Sequence, residues 1–223
     1  MTIIDICHLS CPMLCFLHRK GKLPVNKLSS FLSKTEILNA AEQTLRKYGP
    51  DKASVTDVAK LLGVSHGTLY RHFPSKAALR EAVTERWLEE MIVAPLSEIA
   101  GMPADNALGQ LGDYIAKLVE LKQHYAAQDS EMFKMYAAVT EESAALVEVH
   151  IRKLLDHIDL LIAQGMEQGL ISRSIPAAVQ ARSVLYGTAR FHHPAHAYEW
   201  RSPGIMQEFT QLWALLERGL SVH

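Results

Sequence analysis

The sequence predicts an all-α protein: a three-helix head of the helix-turn-helix kind followed by a larger helical body, about nine helices in all. Three observations predict it. Apolar residues recur three and four apart along most of the chain, and no stretch alternates as a half-buried strand would. Serines stand at the starts of several such runs, and glycine or proline at their ends. Residues 59–65, Ala-Lys-Leu-Leu-Gly-Val-Ser, place a small residue where two helices approach, a glycine for a sharp turn and an apolar plug at the elbow.

Ser33 and Glu36 form a capping box, and Ile37, Ala41, Leu45 and Tyr48 follow at helical spacing until Gly49-Pro50, so the first helix covers about 34 to 48. Ser54 starts a short helix with Val55, Val58, Ala59 and Leu62 on one side, closed by Gly63. Ser65 caps the third, which ends before Pro74 because proline disfavours helix in the residue preceding it. Ser75 caps a fourth, with the ridge Leu79, Val83, Trp87 and Met91; Pro95 is expected to kink or end it. A loop at Gly101, Pro103 and Asp105 follows.

Further amphipathic runs carry Leu108, Leu111, Ile115 and Leu118, then Met132, Tyr136 and Val139, then Leu146 through Ile162 to Gly169. Ser174-Ile175-Pro176 and Ser202-Pro203 read as serine caps with proline in the first turn of two more helices. The division is thus an extension over 1–32, a head over 33–78 and a regulatory and dimerising body over 79–223.

With 48% hydrophobic and 21% charged residues the chain can bury a core and is not intrinsically disordered. The net charge of -1 hides an asymmetry: residues 1–76 hold 11 Lys+Arg against 5 Asp+Glu, and residues 77–223 hold 12 against 19. A basic head on an acidic body is what polyanion binding by one part would require. No stretch has the roughly 18–20 apolar residues of a membrane span. The apolar start carries its positive charges after the apolar run rather than before it, so a cytoplasmic location is expected. Cys7, Cys11 and Cys15 all lie in the extension, which leaves the body without an internal disulfide.

In residues 63–73, Gly-Val-Ser-His-Gly-Thr-Leu-Tyr-Arg-His-Phe, Leu69 and Phe73 fall four apart and face inward, leaving Ser65, His66, Gly67, Thr68, Tyr70, Arg71 and His72 outward. The helix after such a turn is the one that enters the DNA major groove: small residues let the backbone approach, while His66, Thr68 and Arg71 reach base edges or phosphates. The same face would also suit a solvated polar helix of an unrelated bundle. Glu36 through Ala41, Tyr48-Gly49, Ser54 through Ala59 and, without a gap, Gly63 through Leu79 closely resemble the DNA-binding domain of the TetR family of bacterial transcriptional regulators. That resemblance covers about residues 33 to 80. It implies a homodimeric repressor of a palindromic double-stranded DNA operator, released by a small apolar molecule as effector, with no cofactor. By matching positions it assigns phosphate contacts to Tyr70, His72 and Lys76, with Ser54 and Thr56 as further backbone contacts, and reading positions to His66, Gly67, Thr68 and Arg71 around Ser65.

In the body, Met132, Tyr136, Tyr186 and Phe191 are candidates to line an apolar pocket with a few polar handles. Leu185, Ala189, Leu212, Leu216 and Leu220, on the last two helices, are candidates for the dimer interface. His192, His193, His196 and Glu199 carry donor types that suit zinc or nickel and keep open a metal-sensing repressor of the same fold, or a helical metal-dependent enzyme. Against an enzyme, the sequence contains no HExxH, no glycine-rich phosphate loop and no nucleophile elbow.

Overall fold

A computed structural model describes residues 32–222, so the three cysteines and the extension through residue 31 lie outside the described residues. The helices are α1 (Lys34–Lys52), α2 (Val55–Leu62), α3 (His66–His72), α4 (Lys76–Leu88), α5 (Ala94–Gly101), α6 (Ala107–Gln128), α7 (Ser130–Glu142), α8 (Ala144–Glu167), α9 (Ala177–Gly187) and α10 (Ile205–Leu220). A π-helical turn at Glu89–Val93 joins α4 to α5. Among the described residues the strand-like pairing is confined to one antiparallel bridge between Ile171 and Ser221. None of the described helices is long and apolar enough to cross a membrane.

The head follows its capping chemistry. Ser33 Oγ accepts from the Glu36 amide at 3.1 Å, and Glu36 Oε2 accepts from the Ser33 amide at 2.7 Å. Gly49, at φ 77°, interrupts α1, and Pro50 opens a last turn to Lys52, so the regular part of the helix ends where the sequence places it. Ser54 and Asp57 make a second capping box. Gly63 adopts a left-handed conformation at φ 65° with its amide on the Ala59 and Lys60 carbonyls, a geometry that costs other residues about 1 kcal/mol or more. Leu69 and Phe73 are buried with Ile37, Ala41 and Val58 in one core, each such side chain contributing roughly 1.5–3 kcal/mol.

Beyond the head the structure corrects three readings. Pro95 does not end the fourth helix: it sits in the first turn of α5, and the π turn before it carries the rod through to Gly101, with the Ala94 amide reaching back to Glu89. That extra residue shifts the buried ridge, so that Ile92 is fully buried where Met91 was expected, followed by Leu96 and Ala100. The two expected serine caps are absent. Pro176 itself is the N-cap of α9, with Ser174 turned to Ser172 at 2.9 Å, and Gly204, at φ 92°, precedes α10.

In the body α8 packs between α6 and α9, α7 lies across α1 and α4, and α10 rests on α6. Because α4 begins under the recognition turn and runs into this bundle, head and body share it. A charged chain reinforces the junction: Arg86 of α4 bonds Glu42 and, at 2.8 Å, Asn39 of α1, while Arg46 of α1 bonds Glu42 at 3.0 Å and Asp129, before α7, at 2.9 Å.

Candidate functional site

The outward face of α3 is organised by hydroxyls. Ser65 Oγ caps the helix by accepting from the Thr68 amide at 3.2 Å and lies 3.0 Å from Thr68 Oγ1. Thr68 Oγ1 in turn accepts from an Arg71 Nη at 3.3 Å. Residues three apart stand one above the next on a helix, so the three form a single polar line with the guanidinium at its end. His66, Gly67, Tyr70 and Arg71 are exposed, and Thr68 and His72 are half-buried. Lys76 is exposed in the first turn of α4, beyond the Ser75 cap. No carboxylate occurs in the sequence between Asp57 and Glu81, a stretch in which Lys60, Arg71 and Lys76 are exposed while Arg80 turns to Glu142 of α7 at 3.2 Å.

Thr56 lies half-buried near the start of α2. Ser54 stands at the same end, but its hydroxyl is committed to Asp57 Oδ2 at 2.5 Å, which leaves the serine little to offer a phosphate beyond its place in the turn. That bond and the backbone bond hold the Asp57 carboxyl below the usual range.

The pocket candidates separate. Met132, Tyr136 and Phe191 are buried, and Phe191 packs on Phe209 with ring centroids 5.4 Å apart. Tyr186 does not belong with them: it is 58% exposed on α9. The body instead has a cleft of about 240 Å³ between α4 and α8, with Leu88, Leu146 and Val149 among its apolar walls and His150 at its inner side. Its mouth carries Glu81, Glu85 and Glu89, and Lys153 bonds Glu89 there at 2.7 Å.

Behind His150 lies a feature not singled out from the sequence. Lys122 is 1% exposed, and its Nζ donates to Tyr136 Oη at 3.0 Å, stands 3.2 Å from His150 Nε2 and lies 4.1 Å from the Tyr136 ring centroid. Among the described residues no carboxylate pairs with it, and burial lowers its amine to about 7. Burial, then the Lys122 charge, holds His150 well below its ordinary value. Trp87 of α4 packs on Tyr136 at 6.0 Å, and its buried Nε1 has no hydrogen-bond partner. The legible signal was position: Leu111, Ile115 and Leu118 form the buried stripe of α6, and Lys122 continues it at the same spacing.

The histidine cluster does not form a metal centre. His192 is buried with Nε2 donating to the Leu185 carbonyl at 3.2 Å, whereas His196 Nδ1 meets Glu199 at 3.0 Å and Arg190 holds the other oxygen of Glu199. Pro194 splits the run into two short turns that send the imidazoles apart, and no group of three metal-ligating side chains converges among the described residues. Of the interface candidates, Leu185 and Leu220 face inward and are buried, so they cannot meet another subunit. Ala189, Leu212 and Leu216 are half-buried, and the apolar surface of the last two helices is carried by Val179 and Tyr186 on α9 and by Leu215 on α10, at 39%, 58% and 68% exposure.

Comparison with known proteins agrees with both halves. Residues 37–83 match the family described as bacterial regulatory proteins, tetR family, and residues 107–213 match the tetracyclin repressor-like C-terminal domain. A nucleoid occlusion factor, SlmA, from a Marinomonas species is 28% identical over 199 residues, spanning 85% of this chain and 95% of that one. The repressor SmeT of the Stenotrophomonas maltophilia multidrug efflux pump SmeDEF superposes with a TM-score of 0.60 at 15% identity, over 86% of this chain and 91% of that one. FadR of Bacillus subtilis, solved with stearoyl-CoA, gives 0.58 at 18% identity, over 86% of this chain and all of that one.

Proposed function

The chain belongs to the TetR family of bacterial regulatory proteins and is a DNA-binding transcriptional regulator; from that premise we propose that it is a homodimeric repressor released from a palindromic operator when a small molecule enters the body. The observation that carries the reading is the line Ser65, Thr68 and Arg71 on an exposed helix whose inner face, Leu69 and Phe73, is anchored in the core. Thr68, Arg71, His66 and the close-approaching Gly67 read base edges. Tyr70, His72 and Lys76 hold phosphates, Lys76 beside the α4 N-terminus, where the helix dipole favours an anion. Thr56 and the backbone at Ser54 touch the neighbouring strand.

Two heads must sit about 34 Å apart to reach successive half-sites on one face of the duplex. The subunits meet through α9 and α10, where Val179, Tyr186 and Leu215 take the place of the two buried leucines and Ala189, Leu212 and Leu216 flank them. The relative from Marinomonas is named a nucleoid occlusion factor; the cleft between α4 and α8 favours the ligand-gated reading, because a molecule lodged there bears on the helix that holds the head.

Selection of random duplexes by the full chain at physiological salt tests this: a recovered palindrome is expected, and no enrichment would overturn the sequence-specific reading. On the recovered site, Thr68→Ala and Arg71→Ala are each expected to lose about 1–3 kcal/mol of discrimination against altered bases. Lys76→Ala weakens all sequences alike and reduces the salt slope by about one. Equal loss on specific and random DNA in all three would refute this division of labour.

A further inference from the structure

Four helices bring donors together in the core of the body: Trp87 from α4, Lys122 from α6, Tyr136 from α7 and His150 from α8. An ammonium with no counter-ion is costly to bury, and an indole N–H without an acceptor adds to that cost. An acceptor entering from the cleft would satisfy both groups. His150 stands at the boundary, lining the cleft and with Nε2 3.2 Å from Lys122 Nζ, so its ring marks the place where a head group would have to pass.

We propose that Lys122, Tyr136, His150 and Trp87 form the head-group site of the effector, and that the effector is a small organic monoacid whose carboxylate becomes the missing counter-ion of Lys122 while its apolar chain fills the cleft. This rests on the ligand-released reading above and narrows its small molecule to an amphiphile. Size supports it: at about 30 Å³ per water-sized group, 240 Å³ takes on the order of eight such groups. Charge selects further. The mouth carries three glutamates against one lysine that is already paired, which repels polyanions such as nucleotide thioesters, whereas a single carboxylate carried past the rim exchanges water for an ammonium and neutral donors.

Calorimetric titration of the full chain without DNA, using hexanoate, octanoate and decanoate beside octanol and octylamine, tests the site. Octanoate is expected to bind at least tenfold more tightly than octanol. Lys122→Met is expected to abolish that preference, and it keeps the core apolar, so the chain still folds. Trp87→Phe keeps an aromatic ring of smaller size, and its loss of Nε1 is expected to weaken octanoate several-fold. Because burial lowers the Lys122 amine to about 7, carboxylate binding at pH 7 takes up a fraction of a proton, which titrations in two buffers of different ionisation heat detect and a purely structural lysine would not produce.

Octanol binding as well as octanoate, octylamine binding better than either, an unchanged Lys122→Met variant, or no binding by any of the three acids would each overturn the proposal. The selected duplex then separates the two readings. Acids that bind through Lys122 without releasing DNA would refute ligand release and leave the site standing, whereas a recovered palindrome with no acid binding would refute the site alone.

Discussion

Trp87→Ala is expected to lower the unfolding free energy by about 3–5 kcal/mol, the range for emptying the place of a large aromatic side chain. Trp87 is 1% exposed and lies edge-on to Tyr125 at 5.6 Å as well as against Tyr136. The whole loss comes from packing, since Nε1 makes no hydrogen bond. Urea unfolding at neutral pH checks it, and a loss under about 1 kcal/mol would mean that the bundle collapses around the gap. Because Trp87 stands on the helix shared by head and body, both should melt in the same transition in the wild type.

Stability is expected to fall as pH drops from 7 to 5, before ordinary carboxylates titrate. Burial lowers His192 to about 3 and His150 well below 6.5, so between those values and 6.5 the unfolded chain binds protons that the folded chain refuses. Their contribution is complete above 6.5 and is lost as pH falls toward the folded values, at up to about 1.4 kcal/mol per pH unit for each group. Lys122 acts in the same direction at higher pH: its folded value of about 7 lies below the ordinary 10.5, so its contribution grows between those limits. Burial pushes the Tyr114 and Tyr136 phenols up, which reverses the trend above about pH 10, where unfolded tyrosines ionise. Thermal melts from pH 5 to 7 check the acid limb, and His192→Asn should flatten it. A Tm independent of pH in that range would contradict the buried, neutral state of both imidazoles.

The head was legible because its determinants are local. Ser33 and Glu36, Gly63, Ser65, and Leu69 with Phe73 each act within four residues, and each lies where the sequence places it. The body was legible as helices but not as contacts. Leu185 and Leu220 are apolar enough for either a core or an interface, and only packing against the neighbouring helices decides between them. The histidines share a short stretch of sequence, yet Pro194 and the buried bond of His192 to Leu185 disperse them. Lys122 was written into the α6 stripe as a polar residue in an apolar frame, and its meaning depends on three other helices.

The π turn at Glu89–Val93 also sets a phase. In a regular helix each residue advances the side chains by about 100°, so one inserted residue rotates everything beyond it by that amount. Leu79, Val83 and Trp87 keep one buried line before the turn, and Ile92, Leu96 and Ala100 keep another after it, five residues from Trp87 to Ile92 rather than four. The two lines face one continuous core only because the extra residue is there. The rod that joins head to body is therefore a register adapter: it lets a recognition unit and a bundle with different angular requirements be built on a single helix.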